Sequence, residues 1–267
     1  MTPKNYEWNA TEYSRHSGQQ AVWAQGLIAQ LNLAGDEDVL DIGCGDGKNT
    51  VAIAEKLASG RVVGIDSSPD MIRSAKGRFE NPACPNITFQ NVDVREMAFV
   101  NQFDVAFSNA ALHWVKNHRQ FLPLVRNALR PGGRTLFQMG GRGNAHEIIR
   151  VLEQMMTEPR WRSFFEGFEF PYGFHGPDEY RIWLEEAGLN PRRVELVPKD
   201  NRQQGAEGLA GWVRSTWLPF TQQVPADLRE PFISELVDRY IKEYGLDADG
   251  MVHVEMIRLE VEAVRPD

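Results

Sequence analysis

The chain has 267 residues, 42% hydrophobic, 10% aromatic and 25% charged, with a formal net charge of -8; this supports one sizeable core and excludes a disordered, repetitive or low-complexity chain. The acidic balance, with Lys and Arg scattered and Arg192-Arg193 the one local cluster, excludes a nucleic-acid reader, which needs a basic face. Two cysteines, Cys44 and Cys84, are too few for a disulfide framework and lack zinc-site spacing; with no apolar leader and no run of about 18 apolar residues, the expected setting is the cytoplasm, away from membranes.

Residues 1–34 carry an amphipathic helical pattern, with Val22, Trp23, Leu27, Ile28 and Leu31 at helical spacing before a stop at Gly35. Val39-Leu40-Asp41-Ile42 then reads as a buried strand that breaks into Gly43-Cys44-Gly45-Asp46-Gly47 and runs on into a helix over Asn49–Leu57. A strand ending in such a turn leaves backbone N–H groups and a helix N-terminus facing one spot, with no Cβ in the way of a ligand. The glycines read G-x-G-x-G behind an acid, whereas the dinucleotide fingerprint reads G-x-G-x-x-G. Asp41 and the short loop suit a ligand with an amino-acid end and no pyrophosphate.

Arg61 to Asp66 forms a second apolar strand ending in an acid, followed by a helix that Ser67 or Ser68 caps and Pro69 opens. From that position Asp66 can accept hydrogen bonds from both hydroxyls of a ribose. The third strand, Ile87 to Val94, carries Asp93 near its end. Asp93 can accept from an exocyclic amine of a base while the Val94 N–H donates to a ring nitrogen. Phe103 to Val115 brings a fourth strand to the same edge and finishes in the polar and aromatic residues Asn109, His113 and Trp114. After the turn Leu129-Arg130-Pro131-Gly132-Gly133, a fifth strand spans Arg134 to Met139.

Beyond Gly143 the pattern predicts a helix over Ala145–Met156, an irregular aromatic stretch over Trp161–Phe174, a helix from Pro177 to Gly188, a strand near Arg192–Val197, two helices flanking Pro225, and a last strand over Val252–Val264. Trp161, Phe164, Phe165, Phe168 and Phe170 read as core rather than pocket. The expected organisation is an N-terminal helical cap over 1–34, a cofactor-binding core over 35–198 with an insertion at about 143–175, a helical cap insertion over 199–250 and a final core strand over 251–267.

The set VLDIGCGDG (39–47), VVGIDSSPDM (62–71), NVDV (91–94), FDVAFSNAALHWV (103–115) and LRPGGRTLFQM (129–139) resembles the class I S-adenosylmethionine-dependent methyltransferases. Residues 7–13 with Tyr13, the stretch 108–118, Phe137-Gln138-Met139 and Trp212 to Phe220 are similar to trans-aconitate methyltransferases in particular. The resemblance implies a Rossmann-like fold, a seven-stranded, mostly parallel sheet with an antiparallel last strand and a helical cap. It implies S-adenosylmethionine held by Gly43, Gly45, Asp66, Ser67, Asp93, Val94, Asn109 and Tyr13. His113 stands where the group usually has Gln, and Gly140-Gly141-Arg142-Gly143 where it tends to have Pro and Asn, so the acceptor side departs from the group's pattern.

A carboxylate acceptor is ionised at neutral pH and needs positioning and cations but no base. His113, Trp114 and Arg142 are the catalytic candidates, and Arg214, Trp217 and Tyr172 the substrate-binding ones, with Arg160 and Trp212 behind them, while Gln19 is read with Tyr13 as closing over the cofactor. The alternative is methylation of a phenol, amine or carbon with His113 as base; a dehydrogenase or a binder without turnover is the reading from a different class. The acceptor is expected to be a small molecule, with no metal, and the chain a monomer or homodimer.

Overall fold

The computed structural model describes residues 18–267, with side chains from Val22 onward, so Tyr13 and the 7–13 motif lie outside the described residues, as does the side chain of Gln19. In chain order the elements are α1 (Gly18–Gln30), β1 (Asp38–Ile42), α2 (Lys48–Ala54), β2 (Arg61–Asp66), α3 (Pro69–Phe79), β3 (Ile87–Asn91), β4 (Phe103–Asn109), α4 (Leu122–Ala128), β5 (Leu129–Gly140), α5 (His146–Thr157), α6 (Pro177–Glu186), β6 (Asn190–Gln204), α7 (Gly205–Thr216), α8 (Leu218–Thr221), α9 (Arg229–Tyr244) and β7 (Met251–Val264). Short 3-10 turns punctuate them. The strands form one sheet in the order β3-β2-β1-β4-β5-β7-β6. β1 to β5 pair in parallel, and β7 runs antiparallel to β5.

The order follows from the sequence period. Central strands buried on both faces are apolar at successive positions, and alternate side chains go to opposite layers. Val39, Val105, Phe107 and Leu136 pack with Leu27, Ile28 and Leu31 of the α1 region on one face. Leu40, Ile42, Ala106, Phe137 and Met139 pack on the other with Leu122, Val125, Tyr180 and Leu184. Full burial of one such side chain is worth about 1.5–3 kcal/mol. The strand order reverses at β1, whose neighbours β2 and β4 lead the chain to opposite sides, and in such open sheets ligands bind at the carboxyl ends beside that point.

Two compact units emerge. The sheet unit comprises Val22–Arg142, Tyr172–Val197 and Ile257–Asp267. The helical unit comprises, among the described residues, 18–21, Gly143–Pro171 and Pro198–Met256. Within the helical unit α9 packs against α5 and α7. Its interior is aromatic: Trp161 and Phe165 lie 5.1 and 5.7 Å from Phe232, and Phe168 lies 4.9 Å from Phe220. Phe170 alone of that stripe is markedly exposed.

Several boundaries differ from the sequence expectation. β5 begins at Leu129, through the Pro-Gly-Gly turn, because Leu129 pairs with Phe103 before a register shift lets Arg134 pair with Val105. β6 continues to Gln204 where the expected strand stopped at Val197; the charged Lys199-Asp200 hid an alternation that buries Asn201 and Gln203. The region around Pro225 holds three helices, the short α8 being separated from α7 at Trp217 and Pro219.

Candidate active site

The glycine turn after β1 is held to β2 by two amides, Gly43 N–H and Cys44 N–H, which both donate to the Ile65 carbonyl at 2.8 and 3.0 Å. Gly43, Gly45 and Gly47 all adopt positive φ, at 73°, 56° and 86°. A Cβ on Gly43 would stand 2.2 Å from that of Ala111, and one on Gly47 would stand 2.8 Å from the Phe89 ring. A Cβ on Gly45 would meet nothing within 4 Å. Packing inside the protein therefore accounts for the first and third glycines, while the second faces open space that a ligand can enter.

Asp66, at the end of β2, is tied to the same turn. Its Oδ2 accepts from Gly45 N–H at 3.0 Å and its Oδ1 from Ser68 N–H at 2.8 Å. Burial pushes its pKa up, with the neighbouring Asp93 carboxylate adding to the push and the two amides opposing it. Asp93, just past β3, is gripped by the Arg95 guanidinium at 2.9 and 2.6 Å, which holds its carboxyl below the usual range. Val94 is buried behind it, and Asn91 Nδ2 donates to the Asp66 carbonyl at 2.8 Å. Ser67 is exposed, and the capping role falls to Ser68, whose Oγ accepts from Met71 N–H at 3.4 Å. Asn109 ends β4 and is followed by Ala110 at φ 55°, whose N–H donates to the Gln138 carbonyl at 2.8 Å. Asp41 is fully buried; it accepts from the Thr50 hydroxyl at 2.6 Å, and burial raises its pKa to about 7.

The acceptor side of the sheet unit gathers around the turn Leu112–Trp114. His113 Nδ1 accepts from Gly140 N–H at 3.4 Å, and the His113 carbonyl accepts from Gly173 N–H at 2.8 Å. The rings of Trp114, Tyr172 and Phe174 surround the imidazole at 5.8, 5.7 and 6.0 Å. Burial, with the positive charge of Arg258 and the nearby His118 adding to it, holds the His113 pKa well below its ordinary value, so the ring is neutral at pH 7. His118 supports the same turn: its Nε2 lies 3.0 Å from the Leu112 carbonyl and its Nδ1 3.1 Å from the Tyr180 hydroxyl. With Nε2–H donating to the carbonyl, Nδ1 accepts from Tyr180.

Three expected cations are placed otherwise. Arg142, expected among the catalytic residues, has its backbone follow the Gly141–His175 bridge, and its exposed guanidinium is locked on the half-buried Glu179 carboxylate at 2.7 and 2.8 Å. Glu179 in turn caps α6 by accepting from Gly176 N–H at 2.7 Å. Arg214 donates to Glu230 at 2.7 and 2.8 Å, and Arg160 donates to Glu235 at 2.9 Å while stacking on Trp161. Arg214, Trp217 and Trp212 belong to the helical unit, where the two indoles are buried 5.8 Å apart. The sheet unit thus brings together His113, Trp114 and Tyr172, and separately Gly45, Asp66 and Asp93.

Sequence reasoning passed over Thr50, Tyr180 and Arg258. Arg258 carried a signal: in the alternating last strand it falls on the inward face with Val252, Val254 and Met256, where a charge needs a reason.

A family described as "Methyltransferase domain" matches residues 39–133, the span from β1 into β5. A trans-aconitate 2-methyltransferase of Variovorax paradoxus (strain S110) is 31% identical over 91% of this chain and 93% of its own. One from Escherichia coli (strain K12 / DH10B) is 29% identical over 97% of this chain and 98% of its own. Among solved structures, the Haemonchus contortus phosphoethanolamine N-methyltransferase 2 in complex with S-adenosyl-L-methionine superposes with a TM-score of 0.61 at 18% identity, covering 96% of this chain and 56% of that one. The fold is that of a Rossmann-like methyltransferase. The chain belongs to the class I S-adenosylmethionine-dependent methyltransferases, in the group of the trans-aconitate methyltransferases. It is an enzyme, and S-adenosylmethionine is its cofactor. The open cradle at Gly45 beside the Asp66 carboxylate fits that group, whose ribose hydroxyls and amino-acid end need acceptors and close backbone. No helix among the described residues is long and apolar enough to cross a membrane.

Proposed function

We propose that the enzyme methylates a carboxylate oxygen of a small acid, in the manner the name of the trans-aconitate 2-methyltransferases states. The observation that carries this reading is the neutral, buried His113 beside Gly140. A base with a depressed pKa holds a proton poorly, so this ring suits an acceptor that is already ionised and suits a phenol, amine or carbon acid badly. The length-spanning similarity to the trans-aconitate enzymes supports the same acceptor class.

In this reading Gly43 and Gly45 bring backbone close to the cofactor, Asp66 and Ser67 take the ribose side, and Asp93, Val94 and Asn109 take the base. Bound there, the sulfonium supplies a methyl group activated toward in-line displacement. His113, Trp114 and Tyr172 then orient the acceptor and exclude water, which is the larger part of what such a transfer asks of a protein. The acceptor is a small molecule, and no nucleic acid or membrane takes part; a monomer or homodimer in a reducing cytoplasm accommodates the free thiols Cys44 and Cys84.

The test is incubation with methyl-labelled cofactor and separate di- and tricarboxylates, fatty acids, phenols and amines. Base-labile label on an acid supports the proposal. Base-stable label on a phenol or amine, with none on any acid, overturns it and favours the alternative in which His113 serves as base.

A further inference from the structure

We propose that His118 and His175 are positioning residues for the methyl transfer, clamping the turn at 112–116 and the segment 172–176 into one wall, an inference that rests on the reading above that His113, Trp114 and Tyr172 orient the acceptor. A carbonyl only accepts, so each imidazole donates from Nε2: His118 to the Leu112 carbonyl at 3.0 Å and His175 to the Lys116 carbonyl at 3.1 Å. Both ends of the stretch that carries His113 and Trp114 are thereby held. Between them Gly173 N–H donates to the His113 carbonyl at 2.8 Å, and a Cβ on Gly173 would stand 2.6 Å from the Val115 carbonyl oxygen, so the segment lies against the turn without slack. Tyr172 and Phe174 stack 5.2 Å apart and both face the His113 ring, whereas His175 turns to His118, 4.5 Å away, and to Trp183, 4.8 Å away.

Apart from the bridge of His175 to Gly141, residues 171–176 have no regular secondary structure before α6, so side chains must fix their course. The fixing closes on itself. The segment runs into α6, Glu179 caps that helix at Gly176, and Tyr180 donates its hydroxyl to His118 Nδ1 at 3.1 Å. His118 thus spends both ring nitrogens on the protein, and its influence on the reaction passes through the residues it holds. Burial, with the nearby His175 adding to it, pushes the His118 pKa down to about 3. Burial also holds His175 below its ordinary value, with Arg142 adding and the Lys116 bond and Glu179 opposing. The clamp therefore stays uncharged at pH 7 and brings hydrogen bonds to the wall without a competing cation. Orientation is the larger part of what this transfer asks of the protein, and a displacement of about 1 Å costs roughly a hundredfold in rate.

The experiment compares the wild-type enzyme with His175→Leu, His175→Gln, Tyr180→Phe and Trp114→Leu, using trans-aconitate as acceptor and S-adenosylhomocysteine affinity measured by calorimetry. A smaller folded fraction lowers kcat and leaves KM alone, so KM separates positioning from plain stability. His175→Leu is expected to raise KM at least about tenfold and Tyr180→Phe severalfold. His175→Gln keeps a donor for the Lys116 carbonyl and should stay within about threefold, and in all three S-adenosylhomocysteine affinity should stay within about twofold of wild type. If His175→Leu does not fold, Tyr180→Phe carries the comparison. Long-range proton–nitrogen NMR of the wild type, which needs no turnover, should show both imidazoles protonated at Nε2; an Nδ1–H tautomer at His118 overturns the clamp. A KM within about twofold of wild type in the folded clamp variants, with a raised KM in Trp114→Leu, overturns the clamp and leaves the acceptor wall standing. An unchanged KM in Trp114→Leu as well overturns the wall and the inference with it.

Discussion

Thr50 donates its hydroxyl to the Asp41 carboxylate at 2.6 Å, and both side chains are sealed from solvent at the foot of the glycine turn. Burial raises the Asp41 pKa to about 7, far above the ordinary carboxylate range, so at intermediate pH the native protein retains a proton that the unfolded chain has lost. For a group whose folded pKa is raised, the stabilisation is complete below the unfolded value and is lost as pH rises through the folded one. The cofactor-free enzyme is therefore expected to lose stability between about pH 4 and pH 7, by at most about 4 kcal/mol from this group. Asp41→Asn, which keeps the acceptor for Thr50 and cannot ionise, should narrow the difference in melting temperature between pH 5 and pH 8; an unchanged difference would refute the assignment.

Gly43→Ala and Gly45→Ala separate packing from ligand approach. The first drives a methyl into Ala111 at positive φ and is expected to destabilise by about 2–4 kcal/mol. The second meets open space, so its cost is limited to about 1–2 kcal/mol of left-handed backbone strain. S-adenosylhomocysteine affinity should nonetheless fall at least tenfold in Gly45→Ala, as measured by calorimetry on the folded variant.

Asp66→Ala removes the acceptor for Gly45 N–H and Ser68 N–H together with the acceptor for the cofactor. Two lost hydrogen bonds to a charged group suggest a loss of about 3 kcal/mol in binding, roughly a hundredfold in Kd. Calorimetric affinity within twofold of wild type would remove Asp66 from the site.

His113→Gln tests whether a base is used. With a carboxylate acceptor, kcat should stay within about tenfold of wild type and remain flat from pH 6 to 9, because general-base removal ordinarily costs about a hundredfold or more. A larger loss together with a rising pH profile would restore the base role.

Arg142→Ala and Arg214→Ala break ion pairs that face solvent, each of which is worth about 0–1 kcal/mol. Neither should move KM for an acid by more than about twofold. A tenfold rise in either would return that arginine to the acceptor site.

The strand-end motifs were readable because each combines a buried apolar run with a residue that a plain turn does not require: Gly45, Asp66 and Asp93 stand at successive strand ends in the folded chain as their spacing suggested. Length and charge did not reveal the partners of the arginines. Arg142, Arg160 and Arg214 were read from position in sequence alone, whereas Glu179, Glu235 and Glu230, the residues that hold them, are 37, 75 and 16 positions away. Ion pairing at such separation leaves no periodic trace. Arg258 is hidden for the opposite reason, being one buried charge inside a strand that is recognised by its alternation alone.

Cys44 lies between Gly43 and Gly45 with its sulfur pressed toward Gly64, and burial pushes its thiol far above the ordinary range. Cys84, in contrast, sits on a partly exposed turn before β3. Maleimide chemistry on the folded enzyme should therefore attach a single dye at Cys84, giving a ready-made optical reporter without any engineered thiol.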